Sequence, residues 1–290
     1  MSLDTTSTSP NKKEHALESL RETGGVVVAL SGGVDSAVLL ALAIEALGAE
    51  RVLAVTGRSA SVSVEDLEDA RRVARTLGAT HEIVDTAEMD RPGYRANEGD
   101  RCYHCRSEVF DSIRGIARQR GFPAVAYGAI REDLGDFRPG MAAAGEHGAI
   151  APLLDAGLTK EEVRSLAAEA GLPVRGKPAS ACLASRIPVG TQVTEERLLQ
   201  VGRAEAALRR LGMRQVRVRY HGEVARLELD PEGERLVADP AVRARAVRAV
   251  REAGFRFVAL DLEGYRSGSL NPDPGVVPLH RIGPAREGGQ

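Results

Sequence analysis

A short stretch near the N-terminus combines the residue types that bind phosphate. Residues 26–30 are apolar and mostly β-branched, and residues 31–36 then read Ser-Gly-Gly-Val-Asp-Ser. An apolar run that ends before Gly48 follows, so the pattern predicts a strand, a tight turn and a helix. Glycines let backbone N–H groups approach an anion, and the first amides of a helix lack internal partners. Since a helix dipole contributes only about 0.3–1 kcal/mol, we expect hydrogen bonds from the serines and the loop amides to dominate the binding.

This loop is not a Walker loop, because no Gly-Lys-Ser/Thr follows its glycines. It resembles the S-G-G-x-D-S loop of the ATP pyrophosphatase superfamily. Those enzymes cut ATP between the α and β phosphates, transfer AMP to a substrate oxygen and hold the pyrophosphate in this loop. The plain alternative is an ordinary glycine-containing turn between a strand and a helix. The resemblance implies that ATP and Mg²⁺ bind here, with a binding set that includes Ser31, Gly32, Gly33, Asp35 and Ser36.

The cysteines are the second group of residues that could do chemistry. Cys102 and Cys105 form a C-x-x-C pair at the start of a predicted helix, and Cys182 lies within Lys-Pro-Ala-Ser-Ala-Cys-Leu-Ala-Ser-Arg. Four interpretations stay open: a thioredoxin-like redox pair, structural zinc completed by His104 or His81, unligated thiols, and an iron–sulfur cluster held by three thiolates with one iron open.

Cys182 could also act as a nucleophile. Lys177 and Arg186 flank it in the sequence, and nearby cations stabilise a thiolate. In the alternative interpretation, those two cations are solvated surface charges and Cys182 is a small buried residue. The sequence alone does not decide between the two.

The composition limits the class of protein. A chain of 290 residues is long enough for two domains, and its charged and apolar fractions of 28% and 43% are those of a water-soluble globular protein. The net charge of −2 argues against a nucleic-acid partner, and no apolar run approaches the length needed to span a bilayer. Three cysteines do not make a disulfide scaffold, so we expect a cytoplasmic protein.

The elements that position these residues alternate between strand and helix. After the first strand we predict strands at residues 51–56, 80–84 and 124–128, with a possible fifth at 149–153, and helices between them. We therefore expect an α/β fold whose doubly wound parallel sheet is covered on both faces. The first twelve residues are predicted to be disordered, and the segment from 87 to 100 to be irregular and polar.

In such sheets ligands bind at the carboxyl ends of the strands, where the strand order reverses. This rule brings three loops to one site: residues 31–36, 56–59 and 128–138. Thr56 would lie beside the adenosine. The third loop carries Asp133, Asp136 and Arg138, which could serve a metal or an anionic substrate. Nucleotide-binding candidates from these loops are Thr56, Gly128 and Arg138.

The pattern changes after residue 172. Prolines and glycines exclude a long helix over residues 173–193, which we interpret as a connector that carries Cys182 into the site. Residues 194–282 then read helix, hairpin, helix and strand, which predicts a smaller α+β domain with an antiparallel sheet. We therefore expect a first domain over 13–172, the connector, the second domain over 194–282, and disordered termini.

Together these motifs resemble the LarE family over roughly residues 18–271. The Ser-Gly-Gly-Val-Asp-Ser loop identifies only the superfamily, whereas the Cys182 segment and the C-terminal Gly-Tyr-Arg-Ser-Gly-Ser-Leu-Asn are more specific. Further matching stretches are residues 135–140, 157–164 and 217–221. The chain departs from the family pattern before Lys177, where many members have an aromatic residue, and after Gly128, where many have Thr-Asn.

The resemblance implies a two-step sulfur transfer. ATP adenylates a carboxylate of pyridinium-3,5-biscarboxylic acid mononucleotide, and pyrophosphate leaves. A sulfur nucleophile then displaces AMP to leave a thiocarboxylate. Two rounds modify both carboxylates, on the way to the nickel-pincer nucleotide cofactor of lactate racemase. It implies catalytic roles for Asp35 and Cys182, nucleotide contacts for Ser185 and Arg186, and contacts to the substrate phosphate or a metal for Glu205, Arg217 and Arg219.

Two branches of the family differ in the source of sulfur. In one, the cysteine matching Cys182 gives up its own sulfur and becomes dehydroalanine. In the other, three cysteines hold a [4Fe-4S] cluster whose open iron carries sulfide. The three cysteines favour the cluster branch, with Cys102, Cys105 and Cys182 as ligands.

Two competing functions are a tRNA thiolase that uses the same loop and a non-enzymatic nucleotide-binding module. We expect a small nucleotide-type substrate, no nucleic-acid or membrane partner, and a homo-oligomer.

Overall fold

The computed structural model describes residues 10–135, 139–178 and 181–266. Within these ranges, the strands of the larger sheet are β1 (Val26–Ala29), β2 (Val52–Arg58), β3 (Thr80–Asp85) and β4 (Ala124–Tyr127), and those of the smaller sheet are β5 (Val216–His221), β6 (Val224–Leu229) and β7 (Phe257–Leu260). The helices are α1 (Pro10–Glu22), α2 (Val34–Leu47), α3 (Val64–Thr76), α4 (Pro92–Ala96), α5 (Arg101–Arg120), α6 (Pro139–Glu146), α7 (Pro152–Asp155), α8 (Lys160–Glu169), α9 (Glu195–Arg210), α10 (Pro231–Ala238) and α11 (Pro240–Glu252).

The larger sheet is parallel, with strand order β3-β2-β1-β4. Successive strand residues point to opposite faces. Val26 and Val28 accordingly join a core with α1, α2 and α8, whereas Val27 joins a separate core with α5 and α6. The predicted α/β sheet covered on both faces is confirmed. The strand order reverses between β1 and β4, so the ends of these two strands flank the crevice where such folds bind ligands.

Three predictions for this part of the chain need correction. The predicted fifth strand is only an isolated bridge from Ala126 to Ile150, because Pro152 begins the short helix α7. Helix α1 begins at Pro10, so residues 10–12, which we expected to be disordered, are helical; residues 1–9 lie outside the described ranges. The segment 87–100 contains α4 and buries Glu88, Tyr94 and Asn97.

The smaller sheet has the order β5-β6-β7 and is mixed, not antiparallel as predicted. Strands β5 and β6 form the expected hairpin, with Gly222 at a φ of 65° in the turn. Strands β6 and β7 pair in parallel because two helices, α10 and α11, cross over between them. The sequence interpretation missed α10, whose start is marked by Asp230, which accepts the Gly233 N–H at 2.8 Å, and by Pro231.

The core beneath the smaller sheet extends toward the cysteines. It contains α9 and strand residues such as Val218, and it also takes in Tyr94 from α4 and Leu183 next to Cys182. The division of the chain into two domains and a connector stays a prediction. Across the described ranges, no helix combines the length and the apolar character that crossing a membrane requires.

Candidate functional site

The glycine loop (residues 31–36) joins β1 to α2. The Ser36 hydroxyl accepts the Ser31 N–H at 3.2 Å and donates to the Gly33 carbonyl at 3.1 Å. The Ser31 hydroxyl lies 3.1 Å from the Ser36 hydroxyl. Gly33 is the N-cap residue of α2, and among the described residues no side chain caps this end of the helix. The first N–H groups of α2 are therefore available to an anion that binds at the loop.

Two glycines are required by close backbone contacts around this loop. Gly32 has a φ of 77°, and a Cβ there would lie 2.2 Å from the Asp66 carbonyl oxygen at the start of α3. A Cβ on Gly128, just after β4, would lie 2.7 Å from the Ser36 nitrogen. Gly128 thus lets the end of β4 pack against the first turn of α2. Its predicted role in binding nucleotide stays a prediction.

Asp35 forms an ion pair with Lys160, whose Nζ lies 2.7 and 2.8 Å from the two carboxylate oxygens. Lys160 is the first residue of α8. The preceding Thr159 forms a capping box with Glu162, which fixes the start of this helix. A cation from another helix therefore lies beside the glycine loop. The position of Lys160 beside the loop could not be predicted from the sequence, because nothing in a local pattern says which loop a helix terminus faces.

Thr56, at the carboxyl end of β2, is 3% exposed. Its hydroxyl donates to the Leu30 carbonyl at 2.6 Å, immediately before the glycine loop, and lies 2.8 Å from His81 Nε2. Since the hydroxyl has a single proton, His81 Nε2–H is assigned as the donor in the second contact. Burial, and then the charge of Arg71, lower the pKa of His81, which fits a neutral ring.

The connector is attached to the glycine loop by Lys177. Its Nζ donates to the Gly32 carbonyl at 2.9 Å and to Asp66 at 2.6 Å, and it lies 2.7 Å from Asp69. The sequence suggests Lys177 as a cation beside the Cys182 thiol. The structure instead places its ammonium group on the glycine loop and on the first two turns of α3.

Cys182 itself is held from its C-terminal side. The next residue, Leu183, donates its N–H to the Ser61 carbonyl at 2.8 Å. The Arg186 Nη1 donates to the carbonyls of Ala181 and Cys182, at 2.6 and 3.0 Å, and to the Ser185 hydroxyl at 2.9 Å. Arg186 is 1% exposed, so the interpretation of this residue as a solvated surface charge is wrong. It fixes the backbone around the cysteine.

Ser61 is in turn fixed by a buried carboxylate. Glu88 accepts hydrogen bonds from the hydroxyls of Ser59 and Ser61, the latter at 3.0 Å, and is 1% exposed. Tyr94 packs beside Cys105 and Cys182 in the same apolar cluster. The sequence analysis missed Glu88 and Tyr94 because their segment has no helical or strand periodicity.

Asn97 links the two cysteine-bearing segments. It adopts the left-handed conformation (φ 57°) at the end of α4, just before the α5 helix that carries Cys102 and Cys105. Its side-chain amide donates to the carbonyls of Pro188 and Thr191 at 2.8 and 2.9 Å. The segment that follows Cys182 is thereby attached to the start of α5.

The three thiols are close enough to interact electrostatically. Burial, and then the neighbouring Cys182, raise the pKa values of both Cys102 and Cys105. Cys105 and Cys182 are half-buried, and Cys102 is exposed. Within the described ranges, no three His, Cys, Asp or Glu side chains are arranged to hold a single metal ion. Of the two histidines considered as a fourth zinc ligand, His81 contacts Thr56 and His104 lies 3.0 Å from Asp100.

A buried set of charges adjoins the connector. Glu205 is fully buried and pairs with Arg186 at 2.7 and 3.0 Å and with Arg209 at 2.7 Å. Burial alone would raise the pKa of Glu205, but Arg186 and then Arg209 outweigh it, so the pKa lies below its ordinary value. The carboxylate is therefore charged at neutral pH.

Arg217 and Arg219 of β5 are 6% and 5% exposed, so these two side chains are buried despite the alternating pattern of the hairpin. Arg219 donates to the Ser185 carbonyl at 2.9 Å and to Glu228 at 2.7 Å. Arg217 lies 5.3 Å from the centre of the Tyr265 ring. Burial, followed by the charge of Arg186, lowers the pKa of Arg217. These cations thus adjoin the connector at Ser185 and Arg186. Arg138 and Asp136 lie outside the described residues.

Comparison with known proteins identifies the family. A family model described as NAD synthase matches residues 14–117, the part that contains the glycine loop and strands β1 to β3. An uncharacterized protein of Synechocystis sp. is 44% identical over 262 residues, which cover 89% of this chain and 97% of that protein. The pyridinium-3,5-bisthiocarboxylic acid mononucleotide synthase of Lactiplantibacillus plantarum is 38% identical over 263 residues, covering 90% and 94%. The chain belongs to the LarE family. The resemblance inferred from the motifs is confirmed.

A more distant likeness covers about half of this LarE-family chain. The tRNA-specific 2-thiouridylase MnmA of Thermobifida fusca is 35% identical over 189 residues, which cover 53% of the chain and 52% of that protein. Such partial coverage, like that of the NAD synthase model, is expected when proteins share a nucleotide-binding sheet but differ in the domains attached to it.

The contact between Gly128 and the glycine loop makes a testable prediction. Gly128→Ala would force apart the end of β4 and the first turn of α2, because the added Cβ would be 2.7 Å from Ser36 N. We expect a loss of about 1–3 kcal/mol in the free energy of unfolding, measured with urea. Gly145→Ala in α6 is the matched control: nothing lies within 4 Å of its Cβ, so it should be neutral or stabilising. Equal effects of the two substitutions would contradict this role for Gly128.

The buried Arg186–Glu205 pair makes a second prediction. Glu205→Gln leaves a buried guanidinium without its counter-charge, which should cost about 3–5 kcal/mol at pH 7. Because the folded-state pKa of Glu205 is depressed, its contribution is lost as the pH falls through that pKa, below the ordinary value of 4.5. The difference in urea stability between wild type and variant should therefore shrink in acid. Glu223→Gln, which breaks an exposed pair with Arg256, should cost less than about 1 kcal/mol. A difference between wild type and Glu205→Gln that does not change with pH would contradict the assignment.

Proposed function

We propose that this protein is an ATP-dependent sulfur transferase. It converts the carboxylates of pyridinium-3,5-biscarboxylic acid mononucleotide to thiocarboxylates, the type of product named for the L. plantarum relative, in nickel-pincer nucleotide biosynthesis. The observation that carries this proposal is the attachment of the Cys182 connector to the glycine loop through Lys177. A loop suited to pyrophosphate and a segment bearing a sulfur group are therefore joined directly.

The first half-reaction activates a carboxylate. A carboxylate oxygen attacks the α-phosphorus of ATP, the bond from that phosphorus to the bridging oxygen breaks, and pyrophosphate leaves. The amides and hydroxyls of the glycine loop stabilise the departing charge. Asp35 offers hard oxygen ligands to the Mg²⁺ that accompanies ATP. Lys160 then turns from Asp35 to the phosphates, which it can reach because it already borders the loop.

The second half-reaction transfers sulfur. A sulfur nucleophile bonds to the activated carbonyl carbon, the carbon–oxygen bond breaks, and AMP leaves. If Cys182 is that nucleophile, the product is a thioester. Loss of the cysteine Cα proton then breaks the Cβ–S bond, which leaves dehydroalanine on the protein and a thiocarboxylate on the substrate. The sulfur atom and both electrons of the broken bond go to the product.

We propose the [4Fe-4S] branch of the family for this chain. The donor set fits: Cys182 raises the pKa values of Cys102 and Cys105, and Cys105 and Cys182 pack against one apolar cluster. A cubane is larger than a single ion, so its thiolates need not meet at one point. When bound, a cluster with one iron free of protein ligands supplies a site for exogenous sulfide, and Cys182 then need not be consumed.

The substrate phosphate and its second carboxylate need cationic partners. We propose that Arg217 and Arg219 provide them, with Glu205 holding Arg186 and Arg209 in place. Arg217 and Arg219 are both nearly buried, and Arg219 reaches the connector at the Ser185 carbonyl. A phosphate or carboxylate that reached them would interact with these cations in surroundings from which water is largely excluded.

A tRNA thiolase is the alternative function, favoured by the partial likeness to the T. fusca enzyme. The net charge of −2 disfavours it, because binding to phosphate backbones needs basic surface. Incubation with ATP, Mg²⁺ and either the biscarboxylate nucleotide or tRNA decides the matter: we expect AMP, pyrophosphate and added sulfur mass only with the nucleotide. The homo-oligomer and the cytoplasmic location remain predictions.

The role of Lys160 can be measured. Lys160→Met removes a donor to the phosphates, so the rate of pyrophosphate release should fall about 10²-fold, in line with the loss of one preorganised donor. The matched control is Lys12→Met, which breaks a pair with Glu162 on the same helix but away from the loop. A similar loss in both variants would show that α8 is merely destabilised and would contradict a phosphate contact.

The iron content distinguishes the two sulfur routes. Protein purified or reconstituted without oxygen should contain about four irons per chain, and Cys102→Ser or Cys105→Ser should lower that content sharply. An iron-free sample whose Cys182 loses the mass of H₂S after turnover would establish the sacrificial route instead.

A further inference from the structure

The contacts of Lys177 differ from those of an ordinary surface lysine. Its side chain is 16% exposed, and an ammonium group has three N–H donors. Those donors have three partners within 2.9 Å: the Gly32 carbonyl, Asp66 and Asp69. One partner belongs to the glycine loop and two belong to α3, so a residue of the connector is bonded to both sides of the proposed pyrophosphate site.

We propose that Lys177 is a positioning residue that couples occupation of the glycine loop by pyrophosphate to the position of Cys182. The proposal rests on the proposed function and assigns to Lys177 the task of keeping sulfur delivery in step with adenylation. It differs from the sequence interpretation, in which Lys177 acts on the thiol itself.

The coupling follows from charge and donor number. Two carboxylates contact the ammonium group here, one of which, Asp69, also pairs with Arg72, and pyrophosphate adds further negative charge to this side of the loop. Because Lys177 has no spare donor, contact with pyrophosphate requires it to give up one of its present partners. If the anion is held by the loop amides alone, the Gly32 peptide must still orient toward it, and the Gly32 carbonyl is a Lys177 acceptor. Either way, a change at the loop alters the contacts of Lys177.

The change reaches Cys182 because the chain between Lys177 and Cys182 is short. Leu183 donates its N–H to the Ser61 carbonyl, and the buried Arg186 binds the carbonyls of Ala181 and Cys182. Lys177, the contact to the loop, lies only four positions before Ala181. A shift at Lys177 therefore acts over this short span on the hydrogen bonds that hold Ala181 and Cys182.

Hydrogen exchange followed by mass spectrometry tests the coupling in the intact protein, with inorganic pyrophosphate and Mg²⁺ as the probe. In wild type we expect pyrophosphate to change the exchange rate of peptides spanning 177–186 at least threefold, along with that of the glycine loop. In Lys177→Met the glycine loop should still respond and the connector should not. A connector that fails to respond in wild type, or that responds equally in the variant, overturns the proposal.

A second readout uses the reaction. The thiocarboxylate formed per pyrophosphate released should fall at least tenfold in Lys177→Met and return to within threefold of wild type in Lys177→Arg, which restores the cation. A parallel loss of both products in Lys177→Met would overturn the coupling.

Should that variant not fold, Asp69→Asn removes one of the carboxylate partners and should shift the same ratio in the same direction. An unchanged ratio in Asp69→Asn would overturn the coupling. If wild type releases no pyrophosphate from ATP with the nucleotide substrate, the proposed function fails, and the exchange experiment still decides the coupling.

Discussion

The geometry of the candidate site depends on the buried ion pair between Arg186 and Glu205. The Nε and Nη2 of Arg186 bind the carboxylate of Glu205, and its Nη1 binds the carbonyls of Ala181 and Cys182. A buried charge is costly unless it is fully paired and hydrogen-bonded. The same requirement fixes the backbone at Cys182, because the carbonyls of Ala181 and Cys182 are hydrogen-bond partners of the buried Arg186. Specificity of conformation is thus obtained from groups that add little net stability.

The site as a whole is made of segments that are each attached to the next by one or two polar contacts. Glu88 fixes Ser61, and Ser61 accepts the N–H of Leu183. Asn97 attaches the segment after Cys182 to the helix of Cys102 and Cys105. Since these contacts are largely buried, water does not compete for them. The segment of Cys182, which lies between helices α8 and α9, is thereby attached to the helix that carries Cys102 and Cys105.

The sequence was sufficient for the larger sheet and for the strand, turn and helix of the glycine loop, but not for the contacts between segments. The parallel sheet followed from alternating strands and helices, and the glycine loop from its residue types. The role of Lys160 could not be predicted, because it depends on which loop the start of α8 faces. Glu88 and Asn97 lie where no periodicity marks a buried residue, and Arg217 and Arg219 have the alternation of a solvated hairpin. The parallel pairing of β6 with β7 depends on the crossover that includes α10. In the sequence, the start of α10 is marked only by Asp230 and Pro231.

The order in which these partners occur along the chain has a consequence for biosynthesis. Cys182 is translated before Glu205, which neutralises Arg186, and before Arg219, which binds the carbonyl of Ser185. A nascent chain that ends between them has the glycine loop and all three cysteines but not the groups that order the connector. Because domains generally fold as units while the ribosome delivers the chain, the sheet that binds nucleotide can form first. The stretch around Cys182 gains its contacts to Glu205 and Arg219 only after α9 and β5 have been made, so an incomplete polypeptide lacks several of the contacts that hold this backbone in place.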